Sequence, residues 1–349
     1  MKKNKIAISF ALLAAGLYAL NIPIAKILLE GIGPTMMASF LYLGAGIGLF
    51  IVGKVVYISG LRKDKKRLTK KELPFTIAMV ALDIAAPIFL MVGITITTSA
   101  NASLLNNFEI VATSLIALLF FHETVSKKLW SAIILITVAS IILGFEGKNS
   151  FVLNKGSLFV LMATICWGVE NNCTRMLSNK DTVEIVTIKG IFSGLGSLLV
   201  ALVIGESIPE FVDIIKVLLL GFIAYGLSIH FYILAQKDLG AAKTSSFYSV
   251  APFLGVAFSM IILKESPDLK FYIALGIMMV STILMIGDTI YLQHDHDHVH
   301  IHDHLHRHGD FEHRHPHEHH HAHLHTHGET MENHGHPIEE WTDHDHHQY

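Results

Sequence analysis

Two groups of residues in this chain could do chemistry, and they lie in different materials. The first is a run of histidines. From residue 294 the chain reads HDHDHVHIHDHLHRHGDFEHRHPHEHHHAHLHTHGE, and residues 293–349 hold 22 of the 24 histidines. Neutral imidazole is the commonest protein ligand for zinc, nickel and copper, and alternating His-x-His with interleaved Asp and Glu offers many overlapping sets of three or four ligands. Near neutral pH most imidazoles with the ordinary pKa of about 6.5 lack the proton that would block a metal. The candidate ligands are His294, His296, His298, His300, His302, His304, His306, His308, His313, His315, His317, His319, His320, His321, His323, His325 and His327. The expected partner is a transition metal: zinc, nickel or cobalt. The spread of the run and its admixture of acids are unlike a purification tag. Such a chelator could buffer metal, sense it, or pass it to a translocation path.

The second group is ionisable or amide residues set inside apolar runs: Asp83, Glu109, Glu170, Lys189 and His230, with Asn21, Asn106, Asn107, Asn171 and Asn172. A charge near the centre of a bilayer costs roughly 3 kcal/mol on insertion scales, so it should face the bundle interior or water. An unpaired buried acid has no cheap structural use, which makes Asp83 and Glu109 candidate cavity groups and candidate proton carriers. Glu170 can equally serve a structural pair with Lys189 or Arg175. His230, alone among aromatics, reads first as a hydrogen-bonded helix contact. Each Asn contributes on the order of 1 kcal/mol when it joins membrane helices, so each also has a structural reading. The expected solute cavity takes in Asn21, Asp83, Asn107, Glu109, Glu170, Asn171, Lys189, His230 and Tyr248. Pro252 removes a backbone donor from an apolar run, and a hinge or simple curvature follows.

The elements that must position these residues are set by composition. The chain has 349 residues, is 52% hydrophobic and only 16% charged, and has a mean hydropathy of +0.49, which excludes an ordinary soluble domain. Ten apolar segments can be drawn, at about 5–28, 35–58, 74–97, 99–121, 129–146, 156–177, 183–205, 216–236, 242–264 and 270–291. In hydrocarbon such segments must be helices. The first lacks a small-x-small cleavage pattern and reads as a spanning helix, not a removable leader. The expected fold is an all-α membrane protein. Its parts are a five-helix repeat at 1–146, a linker at 147–155, a second repeat at 156–292 and a disordered tail at 293–349.

Charge supports that division. Residues 1–292 carry 24 Lys and Arg against 17 Asp and Glu, whereas residues 293–349 carry 2 against 12. With the amino terminus inside, sixteen basic loop residues fall inside, including the block at 62–71, and five fall outside. Both termini are then cytoplasmic, and the block at 62–71 is a lipid-facing topogenic loop rather than a nucleic-acid site. Cys166 and Cys173, two helical turns apart on one face, cannot pair and read as small core residues.

The halves repeat. SANASLLNNFEIVATSLIALLFFHET from Ser99 and AAKTSSFYSVAPFLGVAFSMIILKES from Ala241 share a layout, with Ala100/Ala242, Ser103/Ser245, Glu123/Glu265 and Lys128/Lys270 all at an offset of 142. An odd number of helices per half inverts one half relative to the other, and the loop charges flip accordingly. Glu123 and Glu265 sit at helix carboxyl ends, where an anion is disfavoured. They read as interface anchors offset by Lys127 or Lys264. Ten helices in inverted halves, with the small residues, Pro252 and terminal Leu-x-Glu of the second copy, resemble the EamA-type branch of the drug/metabolite transporter superfamily. The first copy departs by having Ile110 where Pro252 would fall, beside Glu109.

The resemblance implies a secondary transporter of a small organic solute, working by alternating access and often outward, and leaves the tail outside it. The expectation is therefore an inner-membrane exporter or exchanger with a cytosolic metal-binding tail and no cofactor in the membrane region. The cavity is expected among the first, third, fourth, sixth, eighth and ninth segments. The alternatives are a divalent-metal transporter fed by the tail and a membrane-anchored metal store or sensor. The expected partners are solute, membrane lipid and metal ions, with room for a homodimer. The chain shows no nucleophile triad, phosphate loop or dinucleotide fingerprint, so it is not expected to be an enzyme.

Overall fold

An apolar run that must close its own backbone hydrogen bonds has one local solution in lipid, the helix. The computed structural model describes residues 2–59, 67–121, 126–146, 152–177, 180–239, 244, 247–308 and 311–326. Its helices are α1 (Lys2–Ala19), α2 (Asn21–Leu28), α3 (Pro34–Ile58), α4 (Leu73–Ile96), α5 (Ser99–Leu105), α6 (Phe108–Phe121), α7 (Lys127–Gly144), α8 (Lys155–Met176), α9 (Thr182–Val203), α10 (Phe211–Gly221), α11 (Ser228–Leu239), α12 (Ala251–Ile262) and α13 (Leu269–Leu292). Among the described residues eight helical stretches are long and apolar enough to cross a membrane. The sixth expected segment is helical as α8 but carries Lys155, Glu170 and Arg175. The ninth is represented by the shorter α12. His122, Glu123, His327, the linker at 147–151 and residues 62–66 of the basic block lie outside the described residues.

The chain divides into two compact units, Met1–Gly287 and Asp288–Tyr349. Among the described residues the regular structure of the first is helical apart from a two-residue ladder, β1 (Phe145–Glu146) with β2 (Val152–Leu153), at the junction of the halves. Met36, Met37, Leu41, Leu90, Met91 and Phe271 fill its core, while Val55, Phe120, Leu199, Val203 and Ile261 remain more than half exposed. That apolar exterior is what lipid covers. A depression of about 550 Å³ among Leu195, Leu198, Leu199, Leu202 and Val203 belongs to this exterior and has no polar side chain with which to recognise a solute.

Several spans that read as continuous in the sequence are interrupted. The fourth breaks at Asn106 and Asn107, between α5 and α6. The ninth breaks at Ser249 and Val250, before α12. Asn107 and Ser249 are separated by the offset of 142 that relates the copies, so the break repeats although the residues making it do not. In the first half, Asn107 Nδ2 donates to the Leu104 carbonyl at 3.1 Å. The backbone tightens there to i→i−3 bonds, as Asn side chains that compete for backbone acceptors encourage. In the second half Pro252 stands in the first turn of α12, where its missing N–H costs nothing. This corrects the mid-helix position expected of Pro252: the helix starts one residue before the proline instead of bending around it. The eighth span is also irregular, with a π-helical turn over Phe222–Leu227 between α10 and α11.

Close approach of α3 and α9 fixes the centre of the bundle. A Cβ on Gly190 would lie 2.5 Å from the Cα and N of Gly46, so the two backbones touch where both residues lack a side chain. Gly190 follows Lys189, and Gly46 is one turn beyond Tyr42. Gly190→Val should force the helices apart and lower the apparent Tm and the folded yield in detergent far more than Gly276→Ala, a position with open space around it. Equal thermal unfolding of the two variants would show that the crossing does not hold the bundle.

In the second unit, β3 (Gln293–His308) pairs antiparallel with β4 (Phe311–Thr326). Sequence reasoning expects no fixed structure here because the composition offers no core. A ladder needs none to close its backbone hydrogen bonds, which composition does not register.

Candidate solute site at the helix breaks

Irregular backbone at membrane depth is tolerated only where protein or a polar cavity surrounds it, so the breaks mark polar surroundings. Around them the described residues form one connected polar system with an ionic part and an aromatic part.

The ionic part joins four helices. Lys189 on α9 places Nζ 3.1 Å from Asp83 Oδ2 on α4 and 2.9 Å from Glu170 Oε1 on α8. Tyr42 on α3 donates its hydroxyl to Asp83 Oδ1 at 3.0 Å and accepts from Trp167 Nε1 at 3.3 Å. Thr174 donates to Glu170 from one turn away. Asp83 and Glu170 are fully buried. Beside them Asn171 Nδ2 donates to Glu109 Oε1 at 2.7 Å and to Thr113 Oγ1 at 3.3 Å, tying α8 to α6. Two acids therefore hold one ammonium, with a third, Glu109, beside them through Asn171, and the group has room for a proton or for one more positive charge.

The aromatic part lies against the breaks. Tyr225, in the π-helical turn, accepts from Asn21 Nδ2 at 3.0 Å, and its ring meets Tyr42 at 5.5 Å and Tyr18 at 5.7 Å. Tyr18 accepts from Asn106 Nδ2 at 3.1 Å, and its ring is 6.0 Å from that of Tyr248. Tyr248 in turn packs edge-on to Tyr232 at 5.1 Å. Among the described residues the buried acceptors Asn21 Oδ1, Asn106 Oδ1 and Asn107 Oδ1, and the hydroxyl of Ser103, have no hydrogen-bond partner. Leaving such an atom unmet costs about 1–3 kcal/mol. All four lie on the first span or on the fourth within a turn of its break.

Of the residues expected from sequence, Asp83, Glu170 and Lys189 are brought into one triad, and Glu109 meets Asn171 alongside it. Asn21 and Tyr248 belong to the aromatic part. Asn107 turns its amide toward Leu104 and the Met278 sulfur, 3.7 Å away. His230 is half-buried on α11 with its ring edge-on to Phe231 at 5.8 Å. The system also takes in residues that sequence reasoning passed over: Tyr18, Tyr42, Trp167 and Tyr225. A tyrosine inside an apolar run is indistinguishable from core until its hydroxyl finds a partner. Through Tyr42 and Lys189 the system reaches the second and seventh spans, beyond the six expected to line it.

At one end of the bundle two acids tie the halves together. Glu265, just after α12, accepts from the backbone N–H groups of Ser99 and Ala100, both at 2.8 Å. Ser99 Oγ is 2.8 Å from Ser259 Oγ. Glu206 accepts from Thr35 N at 3.1 Å and Met36 N at 2.7 Å. Both glutamates come from the second half and cap helix starts in the first. Glu265 is thus offset by a helix amino terminus, not by Lys264 as expected. Lys264 itself has φ of 54°, a left-handed turn that aims the next residue across the interface. At the other end Lys180 pairs with Glu72 at 3.0 Å, and Glu184 accepts from Leu68 N at 3.1 Å.

A helical bundle with a lipid-facing apolar surface, paired broken spans and a buried charged centre defines a multi-pass membrane protein of the transporter class. The chain belongs to the EamA-like transporter family, which it matches over residues 5–145 and 154–287. It is 25% identical over 262 residues to an uncharacterized transporter of Methanothermobacter thermautotrophicus, covering 71% of this chain and 76% of that one. A crystal structure of a protein 15% identical to it shares the fold with a TM-score of 0.58, covering 84% of this chain and 98% of that one.

Proposed function

We propose that this protein is a ten-span secondary transporter, built of two inverted repeats, that carries a small organic solute by alternating access. Both termini lie in the cytosol of a cell bounded by a bacterial-type plasma membrane. The observation that carries the reading is the unmet acceptors on Asn21 and Asn106, whose amides bond the hydroxyls of Tyr225 and Tyr18, with a third on Asn107 at the break of the fourth span. A solute bearing N–H or O–H donors would satisfy them, and the tyrosine faces would cover its apolar part. The acid-rich triad next to this place supplies the coupling group. A proton taken up by Asp83 or Glu109 would change the charge the solute meets, which is what exchange of proton for solute requires.

An organic solute is favoured over a metal ion because the buried acids already surround the ammonium of Lys189, which sits where a metal would have to go. The histidine-rich tail binds transition metal as a cytosolic chelator, separate from the path. Reconstituted into proteoliposomes, the protein should move one of a panel of amines, amino acids and sugars. Removing residues 294–349 should leave that flux within about twofold and abolish zinc binding. Asp83→Asn should cut pH-gradient-driven flux by at least about tenfold while solute exchange without a gradient survives. Zinc flux lost in Asp83→Asn but kept on truncation would replace this reading with a metal transporter.

A further inference from the structure

The register of the tail ladder does something that its composition alone does not. The pairing sets His294 opposite His325, His296 opposite His323, and so on to His306 opposite His313, seven histidine pairs in succession. Successive residues on a strand alternate between faces, so all seven pairs stand on one face of the two-stranded ladder. The other face takes Asp295, Asp297, Asp303, Glu312 and Glu318, mixed with apolar residues, and His320 is the one histidine of β4 that falls there, opposite Val299.

We propose that the tail is a linear array of four-histidine metal sites. Each site is made of two neighbouring cross-strand pairs, and metal binding and strand pairing occur together. The proposal rests on the reading of the tail as a metal binder and adds its order. Residues directly opposite have Cβ atoms about 4.5–5.5 Å apart, and the next pair on the same face lies roughly 7 Å along the strand. By spacing alone, four histidines at the corners of such a rectangle are within reach of one zinc ion, which bonds nitrogen at about 2.0–2.1 Å. An isolated two-stranded hairpin is marginal in water, so an ion bound by both strands would decide whether it forms. Seven pairs provide three such sites with one pair to spare, and loading the first sets the register for the next.

Phase can be changed without changing composition. In one variant of the full-length protein three neighbouring positions on β3 are exchanged: His302→Asp with Asp303→His, His304→Leu with Leu305→His, and His306→Arg with Arg307→His. This moves three histidines to the opposite face and leaves four pairs, enough for two sites. Zinc chloride titrated into the detergent-solubilised parent should fill about three tight sites cooperatively. Hydrogen exchange over 293–326 should slow as they fill. The variant should fill about two, with protection lost near the exchanged positions. Equal stoichiometry and affinity in the two proteins, or tight zinc binding without slowed exchange, would overturn the ordered array and leave a metal-binding tail. No zinc binding by the parent would overturn both.

Discussion

Lys189→Met should be among the most damaging single substitutions in the membrane unit. It removes the ammonium that lies 3.1 Å from Asp83 and 2.9 Å from Glu170, and leaves two buried carboxyls facing each other with no counter-charge. Breaking a buried pair from one side costs about 3–5 kcal/mol, because the charge left behind is neither solvated nor matched. The expected readout is a fall of roughly 10 °C in apparent Tm in detergent, with solute flux abolished. Asp83→Asn should cost less, since Lys189 retains Glu170 and Tyr42 can still donate to the amide oxygen. The combination Asp83→Asn, Glu170→Gln and Lys189→Met removes all three charges. It should recover most of the thermal stability and none of the transport. A Lys189→Met protein that unfolds at the parent temperature would show that the acids are solvated or neutral in place, and the triad would lose its role.

The second large effect is expected at Glu265. Its two oxygens hold the N–H groups of Ser99 and Ala100 at 2.8 Å, across the interface between the halves. Hydrogen bonds to a charged group contribute about 1.5–3 kcal/mol each, and a carboxylate at a helix amino terminus gains about 0.3–1 kcal/mol more from the helix dipole. Glu265→Ala should release that contact, and open this end if it closes the path, while leaving the Lys180–Glu72 pair at the far end intact. A cysteine replacing the buried Ser259, in a background without Cys166 and Cys173, should then react at least about tenfold faster with an impermeant thiol reagent added on that side. Glu265→Asp, one methylene shorter, should fall between. No change in labelling would mean that Glu265 anchors the loop without closing the path.

How far the sequence could be read depended on the kind of interaction. Helices, repeat and membrane setting follow from apolar runs and the 142-residue offset, because in lipid the backbone has a single local way to satisfy itself. Asp83, Glu109, Glu170 and Lys189 stood out by the same logic, since a charge in an apolar run is conspicuous wherever it points. Tyr18, Tyr42, Trp167 and Tyr225 were silent because an aromatic residue suits core, lipid and cavity alike until its partner is known. The break of the fourth span was hidden as well. Pro252 signals an interruption in one copy, but Asn106 and Asn107 achieve it in the other by taking backbone acceptors, and an Asn pair has many other uses.

The sequence by itself determined that this chain lies in a membrane as a repeated set of helices, where its costly charges stand, and that its histidines alternate. Those are properties of single residues and their near neighbours. Only the tertiary structure decided that Lys189 lies between Asp83 and Glu170, and that Glu265 caps a helix from the other half. It also decided which tyrosines surround the unmet amides of Asn21 and Asn106. Each of these joins residues about 20 to more than 200 positions apart, and their meeting depends on how closely glycine-bearing backbones such as those of Gly46 and Gly190 can approach. Local patterns carry no record of that distance.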